Sequence, residues 1–145
     1  MDIHEYQARD LLAQHGVPIP RGGVAFTPEE AEKIASELQA AGLVIKAQIH
    51  AGGRGKGSFK HGFSGGVHLH KTPKQTRELA AKMLDQTLVT HQTGDAGRLV
   101  SKVLVAEANV RCRHADRGNV ALPRQCFRLV DQSNRVVPAA RPSVA

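Results

Sequence analysis

Apolar residues recur at helical spacing near the start of the chain. Ile3, Tyr6, Ala8, Leu11 and Leu12 fall on one face across residues 3–15, and Gly16 offers a left-handed stop. The prolines of Val17-Pro18-Ile19-Pro20 keep the next segment extended, and Arg21-Gly22-Gly23 turns it into a short strand over 24–26. Thr27-Pro28-Glu29-Glu30 combines an N-cap hydroxyl, a proline at the first helical position and a glutamate placed for a capping box. The helix it starts runs through Leu38 and stops near Gly42. Leu43-Val44-Ile45-Lys46-Ala47 then reads as a strand, apolar and partly β-branched, and a glycine-rich loop follows. A returning strand is expected over 66–70. Thr72-Pro73 repeats the helix-start signal for a helix over 73–84. Two more strands are expected at 88–90 and 100–105, with a turn at 94–97 between them. Helices alternating with short strands predict an α/β or α+β class.

Beyond residue 108 neither period persists. Leu129-Val130 and Val136-Val137 are at most strand fragments, and there is no internal repeat. The chain therefore divides into an organised region, 1–108, and an irregular tail, 109–145. Charge follows the same division. Residues 1–108 carry 13 Lys and Arg against 11 Asp and Glu, whereas residues 109–145 carry 7 against 2. All cations of the tail are arginines, and both cysteines, Cys112 and Cys126, lie there. Most of the net charge of +7 is thus a property of the tail rather than of the fold. Two isolated cysteines imply neither a disulfide framework nor a metal site. At 3% aromatic residues and no tryptophan, an aromatic platform for single-stranded nucleic acid is not expected. No apolar run approaches the ~18 residues that span a bilayer. Asp2 and Glu5 stand where a signal peptide would be basic. The chain reads as soluble and cytoplasmic, with no membrane and no nucleic-acid partner.

The chemistry concentrates in the Lys46 strand and the loop after it. A strand is a rigid mount, so a lysine on it can be aimed. Seven glycines among residues 52–66 allow backbone N–H groups to approach an anion, because they tolerate positive φ and carry no Cβ. Arg54 and Lys56 add cations within that loop. Fixed cation, backbone cradle and nearby cations are the parts of a polyphosphate site. Two familiar loops do not fit: a P-loop needs Ser or Thr after its Gly-Lys and here Gly57 follows Lys56, and the dinucleotide fingerprint needs glycine at Ser58. Read without a ligand, the same segment is a flexible surface loop with solvated cations, and Lys46 is an edge lysine that deters aggregation.

His68 and His70 share one strand face with His61 nearby, but no acidic or cysteine partner stands at ligand spacing, so solvated histidines are expected rather than a metal site. Glu107 closes Val103-Leu104-Val105-Ala106-Glu107. It is either a carboxylate for a nucleotide's ribose or amine, or a polar strand terminus. No Ser-His-Asp arrangement can be drawn from the scattered histidines.

Four segments together carry a resemblance: Met1-Asp2-Ile3-His4-Glu5-Tyr6-Gln7-Ala8, Gly16-Val17-Pro18-Ile19-Pro20, the run from Val44 through Lys46 and Gly53-Arg54-Gly55 to Gly57, and Leu88-Val89-Thr90-His91-Gln92-Thr93. Over about residues 1–108 the chain resembles the N-terminal ATP-grasp portion of the succinyl-CoA synthetase β subunit. The resemblance implies a ligase that joins succinate to CoA in the tricarboxylic acid cycle. It would use ATP or GTP with Mg²⁺, and a phosphohistidine carried by a partner α subunit. In a eukaryote the implied compartment is the mitochondrial matrix. It makes Lys46 a contact to the nucleotide phosphates, and Gly53, Arg54 and Gly55 the loop that closes over the nucleotide. It also implies a glutamate contact just after the strand 103–105, where this chain has Ala106 first and then Glu107. Residues 58–64 resemble versions with a longer loop. Neither a catalytic residue nor the ligands for Mg²⁺ are identifiable in this chain. A related acyl-CoA ligase acting on malate or citrate, or an inactive fragment acting as a basic binding module, are the alternative readings. The abrupt change after residue 108 suggests a displaced coding frame, which reading the gene across that codon decides.

Overall fold

In the computed structural model, which describes residues 3–108, the first helix α1 spans Glu5–Gln14 and is followed by strand β1, Gly22–Ala25. Helix α2 runs Pro28–Leu38 and leads into β2, Leu43–Ala47. A short 3-10 turn, Arg54–Lys56, precedes β3, Ser58–Phe59, and β4, Val67–His70. Helix α3, Pro73–Met83, is followed by β5, Thr87–Val89, β6, Arg98–Leu99, and β7, Val103–Glu107. The strand fragments, both cysteines and the displaced frame expected of the tail lie outside the described residues.

The larger sheet has the order β1-β7-β2-β4, and every neighbouring pair is antiparallel. Strands β1 and β2, joined through α2, are therefore parallel to each other with β7 inserted between them. In the same way β4 and β7, joined through α3, bracket β2. Two interlocked split crossover units result, which places the fold in the α+β class. Strands β3, β5 and β6 form a separate small sheet in that order.

Alternation along β2 sorts its residues between two faces. Leu43, Ile45 and Ala47 join Val103 and Val105 in the main core beneath α2 and α3, which contribute Ala31, Ala35, Leu38, Ala80 and Met83. Small alanines on both helices let them lie close to the sheet, where the large strand residues fill the volume. Val44 and Lys46 point to the opposite face, beside Leu104 and Ala106 across the ladder. Both helices start as their sequences predict. The Thr27 hydroxyl accepts from the Glu30 N–H at 3.1 Å, and the Glu30 carboxylate accepts from the Phe26 N–H at 2.8 Å. The Thr72 hydroxyl accepts from the Gln75 N–H at 3.3 Å in a full capping box.

The expected strand over 100–105 is divided between two sheets. Arg98 and Leu99 pair with β5, Val100 is bound on both sides by Asp85 and Gln86, and only 103–107 enters the large sheet. Strand β1 starts earlier than expected because Gly22 already pairs with Ala106.

His68 and His70 are not solvated. Both are buried on β4, where the His68 imidazole bonds the Gly65 carbonyl at 2.7 Å and that of His70 bonds the Thr76 hydroxyl at 2.6 Å. Burial holds the His70 pKa below its ordinary value. An unfolded His70 therefore binds a proton at a pH where the folded one does not. Its stabilising contribution is complete above about pH 6.5 and is lost as pH falls below that value. Melting by circular dichroism is expected to give a lower Tm at pH 5.5 than at 7.5. The drop should be shallower in His70→Gln, and an unchanged slope would remove His70 as its origin.

Candidate functional site

Lys46 sits on an inner strand. Strand β2 pairs with β7 on one side and β4 on the other, so Lys46 has Leu104 and Val67 as cross-strand neighbours. The edge-lysine explanation therefore does not apply. The Lys46 side chain is 28% exposed, and its Nζ donates to Glu5 Oε1 at 2.7 Å. Arg54, at the start of the 3-10 turn, donates from Nη2 to Glu5 Oε2 at 2.8 Å and from Nη1 to the Ala47 carbonyl at 2.7 Å. A single carboxylate on α1 thus joins the strand cation to the loop cation. Burial pushes the Glu5 carboxyl up, but the hydrogen bonds and charges of Lys46 and Arg54 outweigh it and hold the group below its usual range.

The loop is fastened at its base rather than loose. The Arg54 carbonyl accepts from both the Gly57 and Gly66 N–H groups, at 3.1 and 2.7 Å, and the Gly66 carbonyl accepts from the Ala47 N–H at 2.8 Å. These bonds fix where the turn leaves the sheet and aim Arg54 back toward Lys46. Gly53 has φ 74°, and a Cβ on it would run into the His91 imidazole. The Gly52 N–H donates to Gln92 Oε1 at 2.5 Å. Among the described residues nothing accepts from the N–H groups of Gly53, Arg54 and Gly55. Gly55 lies near Val67, and Lys56 is exposed.

A cavity of about 490 Å³ opens beside this loop, lined by His4, Glu5, Ile49, His50, Arg54 and Gln92 among others. The His4 ring lies against His50, with centroids 3.8 Å apart, and stacks on Tyr6 at 5.6 Å. Burial lowers the His4 pKa, and the neighbouring His50, Lys102 and Arg54 charges lower it further.

Of the residues singled out from sequence, Lys46, Gly53, Arg54 and Gly55 are brought together, and Glu107 is not. Glu107 is opposite Leu43, at the other end of β2 from Lys46, and alternation puts it on the helix-covered face. There it accepts from the Arg21 backbone N–H at 3.0 Å and from Arg21 Nε at 3.2 Å, while Arg21 also donates to the Leu38 carbonyl. Sequence reasoning missed Glu5, His4, His50 and Gln92. Hydrophobic periodicity marks which helix face is apolar but says nothing about which carboxylate reaches a distant strand. Among the described residues no group of three or more His, Cys, Asp or Glu could hold a metal ion. No helix among them is long and apolar enough to cross a membrane. What the arrangement can do is hold an anion with two or more oxygens between a rigid lysine, an anchored arginine and free loop N–H groups.

Gly53→Ala is expected to cost about 1 kcal/mol from the positive φ alone, lowering Tm by roughly 4–8 °C. Scanning calorimetry checks this. An unchanged Tm would mean that the loop relaxes freely.

A family model described as an ATP-grasp domain matches residues 2–115. The chain is 55% identical over 107 residues to the succinate–CoA ligase [ADP-forming] subunit beta of Syntrophobacter fumaroxidans, covering 74% of this chain and 26% of that protein. The Nautilia profundicola protein of the same name is 52% identical with the same coverage. The mitochondrial one of Dictyostelium discoideum is 50% identical, with 74% and 24% covered. The chain thus spans about a quarter of the length of the curated relatives it matches.

Proposed function

Because this chain belongs to the ATP-grasp family, we propose that Lys46 and the loop Gly53-Arg54-Gly55 bind the phosphates of a nucleotide in a succinate–CoA ligase β subunit. The observation that carries this is the convergence of Lys46 and Arg54, from two separate elements, on the two oxygens of one carboxylate. Cations held that close, both largely shielded from solvent, present the charge spacing that a polyphosphate requires. Gly53 supports the same reading, since its left-handed backbone, φ 74°, is of the kind anion-cradling loops use. Lys46 and Arg54 would neutralise the phosphates and position them, which is most of what phosphoryl transfer asks of a protein.

The relatives are named ADP-forming, so adenine nucleotide is preferred over guanine in this reading. Phosphoryl transfer would pass to a histidine of a partner α subunit, on the way to a succinyl thioester with CoA. Magnesium would neutralise phosphate charge there. By the resemblance, none of the residues named here is among its ligands. Glu107, held by Arg21, is proposed as a nucleotide contact only through the resemblance. Its geometry favours a structural role in joining β7 to the start of β1.

The test is a thermal-shift titration of the full chain with ADP and ATP, with and without Mg²⁺, and with GTP in parallel. Saturable stabilisation is expected, about 2.7 kcal/mol once ligand reaches 100 times its Kd. No shift with any nucleotide at millimolar concentration would overturn the proposal.

A further inference from the structure

We propose that the Glu5 carboxylate is a built-in occupant of the anion site, and that α1 is a latch which an incoming polyphosphate must displace. The inference rests on the nucleotide reading above and adds to it a closed state.

Glu5 does what a bound anion would do. It gives one oxygen to Lys46 at 2.7 Å and the other to Arg54 at 2.8 Å. A polyphosphate entering while Glu5 stays would place like charges side by side between the same cations, so the two anions compete. The loop shows the same self-satisfaction with a neutral acceptor, because Gln92 already takes the Gly52 N–H at 2.5 Å.

Helix α1 is built to leave. It contains no buried residue, and Leu11 and Leu12 are 52% and 47% exposed. Its ties are few and mostly polar: the Glu5 bridge, the Arg9 guanidinium on the Pro20 carbonyl, and the contacts of Tyr6 and neighbouring His4. Moving it takes no buried residue of its own into water. The latch would also confer selectivity, since orthophosphate must compete as a separate molecule with a tethered carboxylate, whereas a triphosphate adds further charge and can also reach the loop N–H groups.

The chain carries its own reporter. Tyr6, on α1, is the only tyrosine and there is no tryptophan, so intrinsic emission reports α1 alone. Its ring lies 5.6 Å from the Lys102 ammonium and the same distance from the His4 ring, contacts that displacement would change. Tripolyphosphate titrated into the full chain is expected to shift Tyr6 emission saturably. Calorimetry on Glu5→Gln should give about tenfold tighter binding, as expected when a site open a tenth of the time becomes always open. Glu5→Asp, too short to span both cations, should show a smaller gain and serves if the glutamine variant does not fold.

Equal or weaker binding by a folded Glu5 variant would overturn the latch while leaving the nucleotide reading intact. So would calorimetric binding to the wild type with no change in Tyr6 emission. If neither wild type nor the folded variants bind tripolyphosphate or ADP, the nucleotide reading falls and the latch falls with it.

Discussion

Replacing Lys46 by alanine is expected to weaken nucleotide binding between about tenfold and a hundredfold, with the chain still folded. A hydrogen bond to a charged group is worth about 1.5–3 kcal/mol, and removing the lysine forfeits at least one to the phosphates. Loss of the fold is not expected. The ammonium is 28% exposed, and its partner Glu5 keeps Arg54, so no isolated charge is stranded. The remaining cost is the lysine stem packed between Leu104 and Val67, about 1 kcal/mol or less. Calorimetric titration with Mg-ADP, alongside melting by circular dichroism, separates the two effects. Lys46→Arg should recover part of the affinity, because charge is kept and shape is not. Wild-type affinity in Lys46→Ala would remove this residue from the site altogether.

The largest expected effect on stability is one residue earlier. Ile45 is fully buried on the inner strand β2, at the centre of the face covered by both helices. Ile45→Ala removes methylene and methyl groups from a place where rigid strands on either side prevent collapse, so a loss of about 3 kcal/mol is expected. For a domain of this size that lowers Tm by more than about 10 °C. Urea unfolding should show a lower midpoint at unchanged m. Val44→Ala, on the opposite face and outside the main core cluster, should cost clearly less. Equal costs would mean that the two faces of β2 are equally packed. Because Ile45 and Lys46 share one backbone, the isoleucine variant should also bind nucleotide poorly as soon as β2 begins to open.

Most of the helices were legible in the sequence, because their information is local. Thr27-Pro28 and Thr72-Pro73 carry their own start signals, and the observed helices begin at those prolines. Strand β2 was legible for the same reason, as a short apolar run bounded by glycines. Strand pairing was not, since it depends on partners far away in the chain. Nothing in residues 98–107 announces that Arg98 and Leu99 join one sheet and Val103 to Glu107 another. Strand β3 is only two residues long, with Phe59 buried and Ser58 facing water, too short to show a period. The site divides likewise. Lys46 and the glycines were visible as a contiguous motif. Glu5 was not, because its role comes from α1 bringing a carboxylate to Lys46 and Arg54, a tertiary fact with no trace in helical periodicity. The buried histidines of β4 were misjudged because Thr76, which satisfies one of them, belongs to the following helix.

The place of β7 has a consequence for synthesis. Among the described residues it is the strand that touches both β1 and β2, which are otherwise not neighbours. As a nascent chain leaves the ribosome, the helices can form early, but the sheet has no way to close until residue 107 is out. Strand β2 can pair with β4 beforehand, but long-range closure must precede any gain from β1–β7 pairing, which makes folding slow and leaves β1 and one edge of β2 open meanwhile. The Lys46 mount thus gains its second flanking strand some sixty residues after it is made.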